Sequence, residues 1–392
     1  MTPLPFVVFS LFTLWDYYIP PYGRVIDYVG LALLVLWLTR RLLTTGRLPM
    51  SFSGAHIMII VASTPAIVAG YLTGGWLTSS AYLTGLLFVY FIYANQTIDH
   101  ALLRRQLSWL ILIHIGFFAL QFGLFRGTGF LIDYHSAFGS IEPRVLSLSS
   151  GFFRAGGLFQ EPNGFCITVF MLVALRSLVG NGKRRLDIVL LASQVAMLLS
   201  ESLWGIVAAV ALLLVAFNVF RLTVEHIVTR VVLGVVLTGT VATIIYDPYI
   251  LEQIFDPITV RRIMYVQDDG SFTARYLGNL AIAVETGLFF GHGINIDEFP
   301  TYFGNNGFSF YVYTFGLLGL LLFILWIAID GWSDPLRKIF IVLFAVTTYP
   351  LFTYASWWAW LGILIRVRWI AAKPATQPTT AGARPKLARR PA

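Results

Sequence analysis

Ten consecutive residues, Arg154-Ala155-Gly156-Gly157-Leu158-Phe159-Gln160-Glu161-Pro162-Asn163, bring together a guanidinium, a carboxylate and two amides. An arginine offers phosphate a planar, bidentate donor. A carboxylate seven residues later is a candidate general base. Pro162 suits the first position of a helix, and Asn163 or Gln160 is placed to help cap it. A helix start presents free N–H groups and a positive dipole end, which favour an anion. Spacing alone leaves two readings open: an anion site served by Arg154 and Glu161, or an Arg–Glu pair that holds a loop.

Three further groups are candidates. Ser271-Phe272-Thr273-Ala274-Arg275-Tyr276 offers Arg275, as a phosphate ligand or as an arginine snorkelling to lipid headgroups. Arg261-Arg262 is similar but less embedded in apolar sequence. Phe290-Gly291-His292-Gly293-Ile294-Asn295 carries His292, a base or a structural histidine, and Gly304-Asn305-Asn306-Gly307 carries amides suited to sugar hydroxyls. In Ser200-Glu201-Ser202-Leu203-Trp204, Glu201 is placed either to orient Arg154 or to cap the next helix. Asp268-Asp269 has no third ligand nearby in sequence and reads as a solvated turn, so no metal site is expected. No G-x-x-x-x-G-K-[ST] loop is present, so no nucleotide cofactor is expected.

The elements that must position these residues follow from composition. Of 392 residues, 57% are hydrophobic and only 12% charged, about half the charge of a soluble domain. Mean hydropathy is +0.77. This describes an all-α polytopic membrane protein, and it excludes a disordered chain, a disulfide scaffold and an ordinary soluble enzyme. A single cysteine, Cys166, excludes an intramolecular disulfide. The start, Met1-Thr2-Pro3-Leu4-Pro5-Phe6, lacks a basic n-region and reads as the beginning of a span. Apolar runs fall at about 3–15, 25–39, 54–73, 81–95, 107–125, 163–180, 187–200, 203–220, 229–245, 308–329, 338–354 and 356–372. These predict about twelve transmembrane helices in one membrane domain, 1–372, followed by a disordered basic tail, 373–392.

Orientation follows from the basic residues. With the N-terminus cytoplasmic, 20 of the 27 Lys and Arg fall in cytoplasmic loops or tail and seven outside. The net charge of +8 is therefore a topology signal, and nucleic acid is not an expected partner. Two outside loops are long, about 126–162 and 246–307, and hold most of the candidates. Leu277–Phe290 within the second has the spacing of an interfacial amphipathic helix. Polar residues inside spans are few, chiefly His114, Gln121 and Gln194, which argues against an ion-coupled transporter.

In order and sidedness these pieces resemble the O-antigen polymerase/ligase family, the Wzy- and WaaL-like bacterial membrane glycosyltransferases. The matching elements are Arg154-x-Gly156-Gly157-Leu158-Phe159-x-Glu161-Pro162-Asn163, the Ser200–Trp204 turn, Arg275 before a segment ending in Gly291-x-Gly293, and Asn306 ahead of Gly316-Leu317-Leu318-Gly319. The resemblance covers about 150–325, and the flanks match in hydropathy. It implies a GT-C-like fold with periplasmic loops at 126–162 and 246–307, in a bacterial inner membrane. It implies a donor oligosaccharide on undecaprenyl diphosphate, with Arg154 and Arg275 binding the diphosphate. Glu161 or His292 is then the base, if there is one. Asn163, Glu201, His292, Asn305 and Asn306 are candidates to bind substrate, and a chain-length regulator is a possible partner. Family ligases usually carry a histidine pair where this chain has Gly304-Asn305-Asn306, so it is nearer the repeat-unit polymerases. An O-antigen ligase acting on lipid A–core is the alternative within the class. A lipid or polysaccharide transporter is the alternative outside it, although neither inverted repeats nor broken mid-membrane helices are legible. A non-catalytic envelope subunit is a further option.

Cysteines introduced at Ser140 and Asp269 should react with a membrane-impermeant thiol reagent in spheroplasts, and one at Thr379 should not. Protection of both loop sites with labelling at 379 would reverse the orientation.

Overall fold

Within the described residues, the apolar runs fold as helices. The computed structural model describes residues 1–14, 16–17, 24–46, 54–134, 146–147, 152–179, 187–216, 289–294, 307–329 and 354–372. Among them are α1 (Pro3–Phe12), α2 (Val25–Thr45), α3 (Gly54–Leu72), α4 (Trp76–Ala94), α5 (His100–Thr128), α6 (Pro162–Val179), α7 (Ile188–Leu199), α8 (Leu203–Ala216), α9 (Gly307–Ile329) and α10 (Ala355–Ala372). The expected spans 229–245 and 338–354, the 277–288 part of the expected interfacial helix and the tail lie outside the described residues. One antiparallel ladder, β1 (Leu146–Ser147) with β2 (Phe152–Phe153), interrupts the otherwise helical structure.

The helix ends are written locally. Asp99 caps α5, its carboxylate accepting from the Ala101 and Leu102 N–H groups. Gly129 closes the same helix in the left-handed conformation, φ 73°. Asp187 caps α7 by accepting from Leu190 N–H. Among the described residues, three helices are long and apolar enough to cross a membrane: α4, α5 and α6. α1, with 10 residues, and α7, with 12, reach only about 15 and 18 Å.

α6 is the centre. Fifteen of its 18 residues are buried, and it packs against α5, α7, α8 and α10. A helix apolar all round belongs inside a bundle. The Trp360 indole of α10 donates to the Met171 carbonyl of α6 at 2.8 Å, so a buried N–H finds a partner without leaving the core. α10 also packs on α4, where Gly85–Tyr90 winds as a π-helix. A Cβ at Gly85 would lie 2.1 Å from the Trp358 ring, so only glycine admits that tryptophan.

Two features were not expected. The π segment is one. The other is a break in α9 at Gly316, φ 69° and ψ −173°. The absence of broken helices, read from the sequence as evidence against a transporter, therefore does not hold.

Polar clusters lie at the two ends of α5. At its start, Arg104 and Arg176 converge on Asp187, with Arg176 at 2.8 Å, and Arg176 also donates to Ser108. Near its finish, Arg126 meets Glu201 at 3.0 Å. These arginines are about 33 Å apart along the axis, close to the roughly 30 Å of a hydrocarbon core. Burial opposes ionisation of Asp187, but Arg176, the Leu190 N–H and Arg104 outweigh it and hold the carboxyl below its ordinary value. The stabilisation is thus complete above the ordinary carboxylate range and fades as pH falls through the depressed folded value. Asp187→Ala should cost about 1.5–3 kcal/mol, leaving a nearly buried arginine without its carboxylate, and a lowered thermal midpoint at neutral pH would register it.

Candidate functional site

The β1–β2 ladder delivers the chain to Arg154, which is half-buried, and the next residues turn into the bundle. The Gly156 and Gly157 N–H groups both donate to Gln121 Oε1 of α5, at 3.0 and 2.8 Å, and Gln121 Nε2 donates to the Ile132 carbonyl. One amide side chain thus ties this loop to the chain leaving α5. Gly157 has φ 60°, and a Cβ there would press on the Phe118 backbone. Leu158 follows, and Phe159, fully buried, anchors the turn with its ring 5.5 Å from that of His114. Thr13 donates its hydroxyl proton to the Ser10 carbonyl, so the Thr13 oxygen accepts from His114 Nε2–H. That fixes the tautomer of a neutral imidazole. The Gln160 N–H donates to the carboxylate of Asp16, just beyond α1.

Glu161 is the residue before α6, and its carbonyl accepts from the Gly164 N–H at 3.1 Å. Its carboxylate acts electrostatically on Tyr354, as do Arg24, Asp16 and Asp27. The Arg24 guanidinium lies 4.4 Å from the centre of the Tyr354 ring. Asp16, the Arg24–Asp27 pair, Glu161 and Tyr354, from four separate parts of the chain, thus come to this end of the bundle. Nearby, burial first and then the charges of Asp16 and Asp133 push the Tyr17 hydroxyl up to about 12.

Asn163 faces the Ser200–Ser202 turn, accepting at Oδ1 from the Ser202 hydroxyl. The Ser202 oxygen in turn accepts from Gly205 N–H, so the cap of α8 is Ser202, not Glu201. Glu201 is buried, adopts φ 54° and holds Arg126. A non-glycine residue in the left-handed region is strained, and such strain clusters at working sites.

His292 belongs elsewhere, on α9, α3 and α4. Its N–H donates to the Tyr313 carbonyl at 2.9 Å and its ring stacks on Tyr313. Gly293 N–H donates to Thr314, Ile294 N–H to Ala66, and Ser79 to Ile294. His292 thus sits in the break of α9. Arg275, Asn305, Asn306, Asp268, Asp269 and Asp297 lie outside the described residues.

Asp16, Arg24, Asp27, Arg126 and Tyr354 were not singled out in sequence. The (i, i+3) spacing of Arg24 and Asp27 at the start of an apolar run was the available signal. No protein-family profile matches the chain, and comparison with curated proteins finds no relative.

Gln121→Leu keeps the bulk and removes the acceptor of two buried N–H groups. Each orphaned donor costs about 1–3 kcal/mol. Hydrogen exchange at Gly156 and Gly157 should accelerate by about tenfold or more, with α7 unchanged.

Proposed function

We propose that the chain is a membrane glycosyltransferase that moves a glycan from undecaprenyl diphosphate to a lipid-linked acceptor, as repeat-unit polymerases do. The observation that carries this reading is the position of Glu161. It opens the central helix, and it follows the clamped Arg154 loop, whose next residue back, Gln160, is held by Asp16. A carboxylate in that setting is suited to take a proton from an acceptor hydroxyl.

The reaction follows from charge. The anomeric carbon–oxygen bond to diphosphate breaks as the acceptor oxygen attacks, and the lipid diphosphate leaves with added negative charge. Arg154 and Arg275 are the candidates to receive that charge, as preorganised donors do in an oxyanion hole. Glu161 takes the hydroxyl proton. Asn163, Glu201, Asn305 and Asn306 are candidates to hold the glycan. In this reading the fold is GT-C-like, with about twelve spans, both termini cytoplasmic and the Glu161 end periplasmic.

The break in α9 favours the transporter as a second reading, because unwound helices often line substrate sites. Here Tyr313 and Thr314 carbonyls and the Leu318 N–H are already bonded to His292, Gly293 and Phe289. Groups so committed are not available to a substrate, and the enzyme reading is preferred.

Arg154→Ala should slow polymer formation about 10²–10³-fold, the loss of about 2–4 kcal/mol of transition-state stabilisation. Lysine should rescue poorly. Glu161→Gln should bind lipid-linked donor normally and turn over at least about a hundredfold more slowly. Reduced donor affinity instead would make Glu161 a support for Arg154. Near-normal chain lengths in both variants would remove the reading.

A further inference from the structure

Beside Tyr354, α2, α4 and the start of α10 enclose a cavity of about 220 Å³. Arg24, Asp27 and Leu31 line it from α2, and Leu77 and Ser80 from α4. Gly85 and Val89 of the π segment form another part of the wall. The cavity has an apolar side and, at one end, a charged pair.

That pair is incomplete. Arg24 Nε and Asp27 Oδ2 are 3.7 Å apart, too far for a direct hydrogen bond. Arg24 Nη1 and Asp27 Oδ1 are buried and, among the described residues, have no hydrogen-bond partner. A ligand that completes both must donate to Asp27 and accept from Arg24. A phosphate satisfies only the arginine and is repelled by the carboxylate. A cation satisfies only the carboxylate and is repelled by the guanidinium. Among uncharged groups a hydroxyl does both, and adjacent sugar hydroxyls do so with one to each residue. The Ser80 hydroxyl, paired with that of Tyr71 at 2.8 Å, also lies in the wall.

The surroundings indicate how such a ligand is carried. Tyr28 and Leu77, at the cavity's edge, are 59% and 64% exposed on the bundle surface. In a bilayer this opening faces lipid, and Leu31, Leu77 and Val89 suit an alkyl chain. We propose that the cavity holds the neutral, hydroxylated glycan headgroup of a membrane amphiphile. Its role rests on the glycosyltransferase reading: there the occupant is the acceptor, gripped by Asp27 and Arg24. Tyr354, under the Arg24 guanidinium at 4.4 Å, stands at that end of the cavity.

The test uses the full chain in lipid nanodiscs and an octyl glucoside with a diazirine in its alkyl chain. Photolysis should concentrate crosslinks on residues 25–31 and 77–89. Excess plain octyl glucoside should compete, and dodecyl phosphate should not. Asp27→Asn and Arg24→Gln should each reduce those crosslinks about tenfold, the effect of one lost charged hydrogen bond. Ser80→Ala, a milder change, should reduce them less, and labelling elsewhere should stay constant as the folding control. Competition by dodecyl phosphate alone would make the cavity a lipid-phosphate site and overturn the proposal. Crosslinking indifferent to all three substitutions would overturn it as well. Transfer from host-extracted lipid-linked glycan, measured on the same preparation, separates the two readings. Intact crosslinking without wild-type transfer supports the glycan site and removes the enzyme. Transfer with indifferent crosslinking removes the site alone.

Discussion

Inside an apolar bundle, a backbone N–H or C=O that leaves its helix must find another partner, because no water is there to supply one. The non-helical stretches of this protein are arranged around that requirement. Gly156 and Gly157 give their N–H groups to Gln121. Gln160 gives its own to Asp16. At Gly316, where α9 breaks, the irregular Phe289–Ile294 segment supplies donors and an acceptor to the opened backbone. Polar side chains in the apolar interior are few, and several serve these bonds.

The same requirement shapes the candidate site. The Arg154 loop cannot wander, since its turn is held by Gln121 on one side, Phe159 beneath and Asp16 on another. It delivers Glu161 to the position just before α6, the central helix of the described bundle. The opposite end of α5 and α6 is closed by Arg104, Arg176 and Asp187. The two ionic clusters along α5 thus lie about 33 Å apart, and the chemistry proposed here belongs to the end that holds Arg126.

Close packing gives the proposed acceptor cavity its shape. Glycine at 85 lets Trp358 approach α4, and the π turn there displaces the following residues. π turns often mark working sites for this reason: they widen a helix without ending it. Arg24 and Asp27 then stand at one end of it, 3.7 Å apart, with Arg24 over the Tyr354 ring and hydrogen-bonding capacity remaining on both for an incoming hydroxyl.

The sequence by itself determined that the chain is helical and apolar enough for a membrane, roughly where its described helices lie though not all of their ends (the start of α5 falls at His100, not 107, and α2 runs on to Thr45, not 39), and that Arg154–Asn163 leads into one of them. These depend on local free energies: the burial of a run of apolar side chains, the cap offered by Asp99 or Asp187, the left-handed turn allowed by glycine. Charge asymmetry likewise sorted the arginines into two groups, and the structure gathers Arg104 with Arg176 at one end and Arg126 with Glu201 at the other. Tertiary structure alone decided the partners. That Glu201 meets Arg126, that Ser202 caps α8, that Gln121 clamps a loop 35 residues away, and that Arg24 and Asp27 line one cavity with α4 all depend on which helices lie side by side. The π turn and the break at Gly316 belong to the same class, because their cost is met only by Trp358 and by the Phe289–Ile294 segment, and those neighbours are brought there by packing rather than by spacing along the chain.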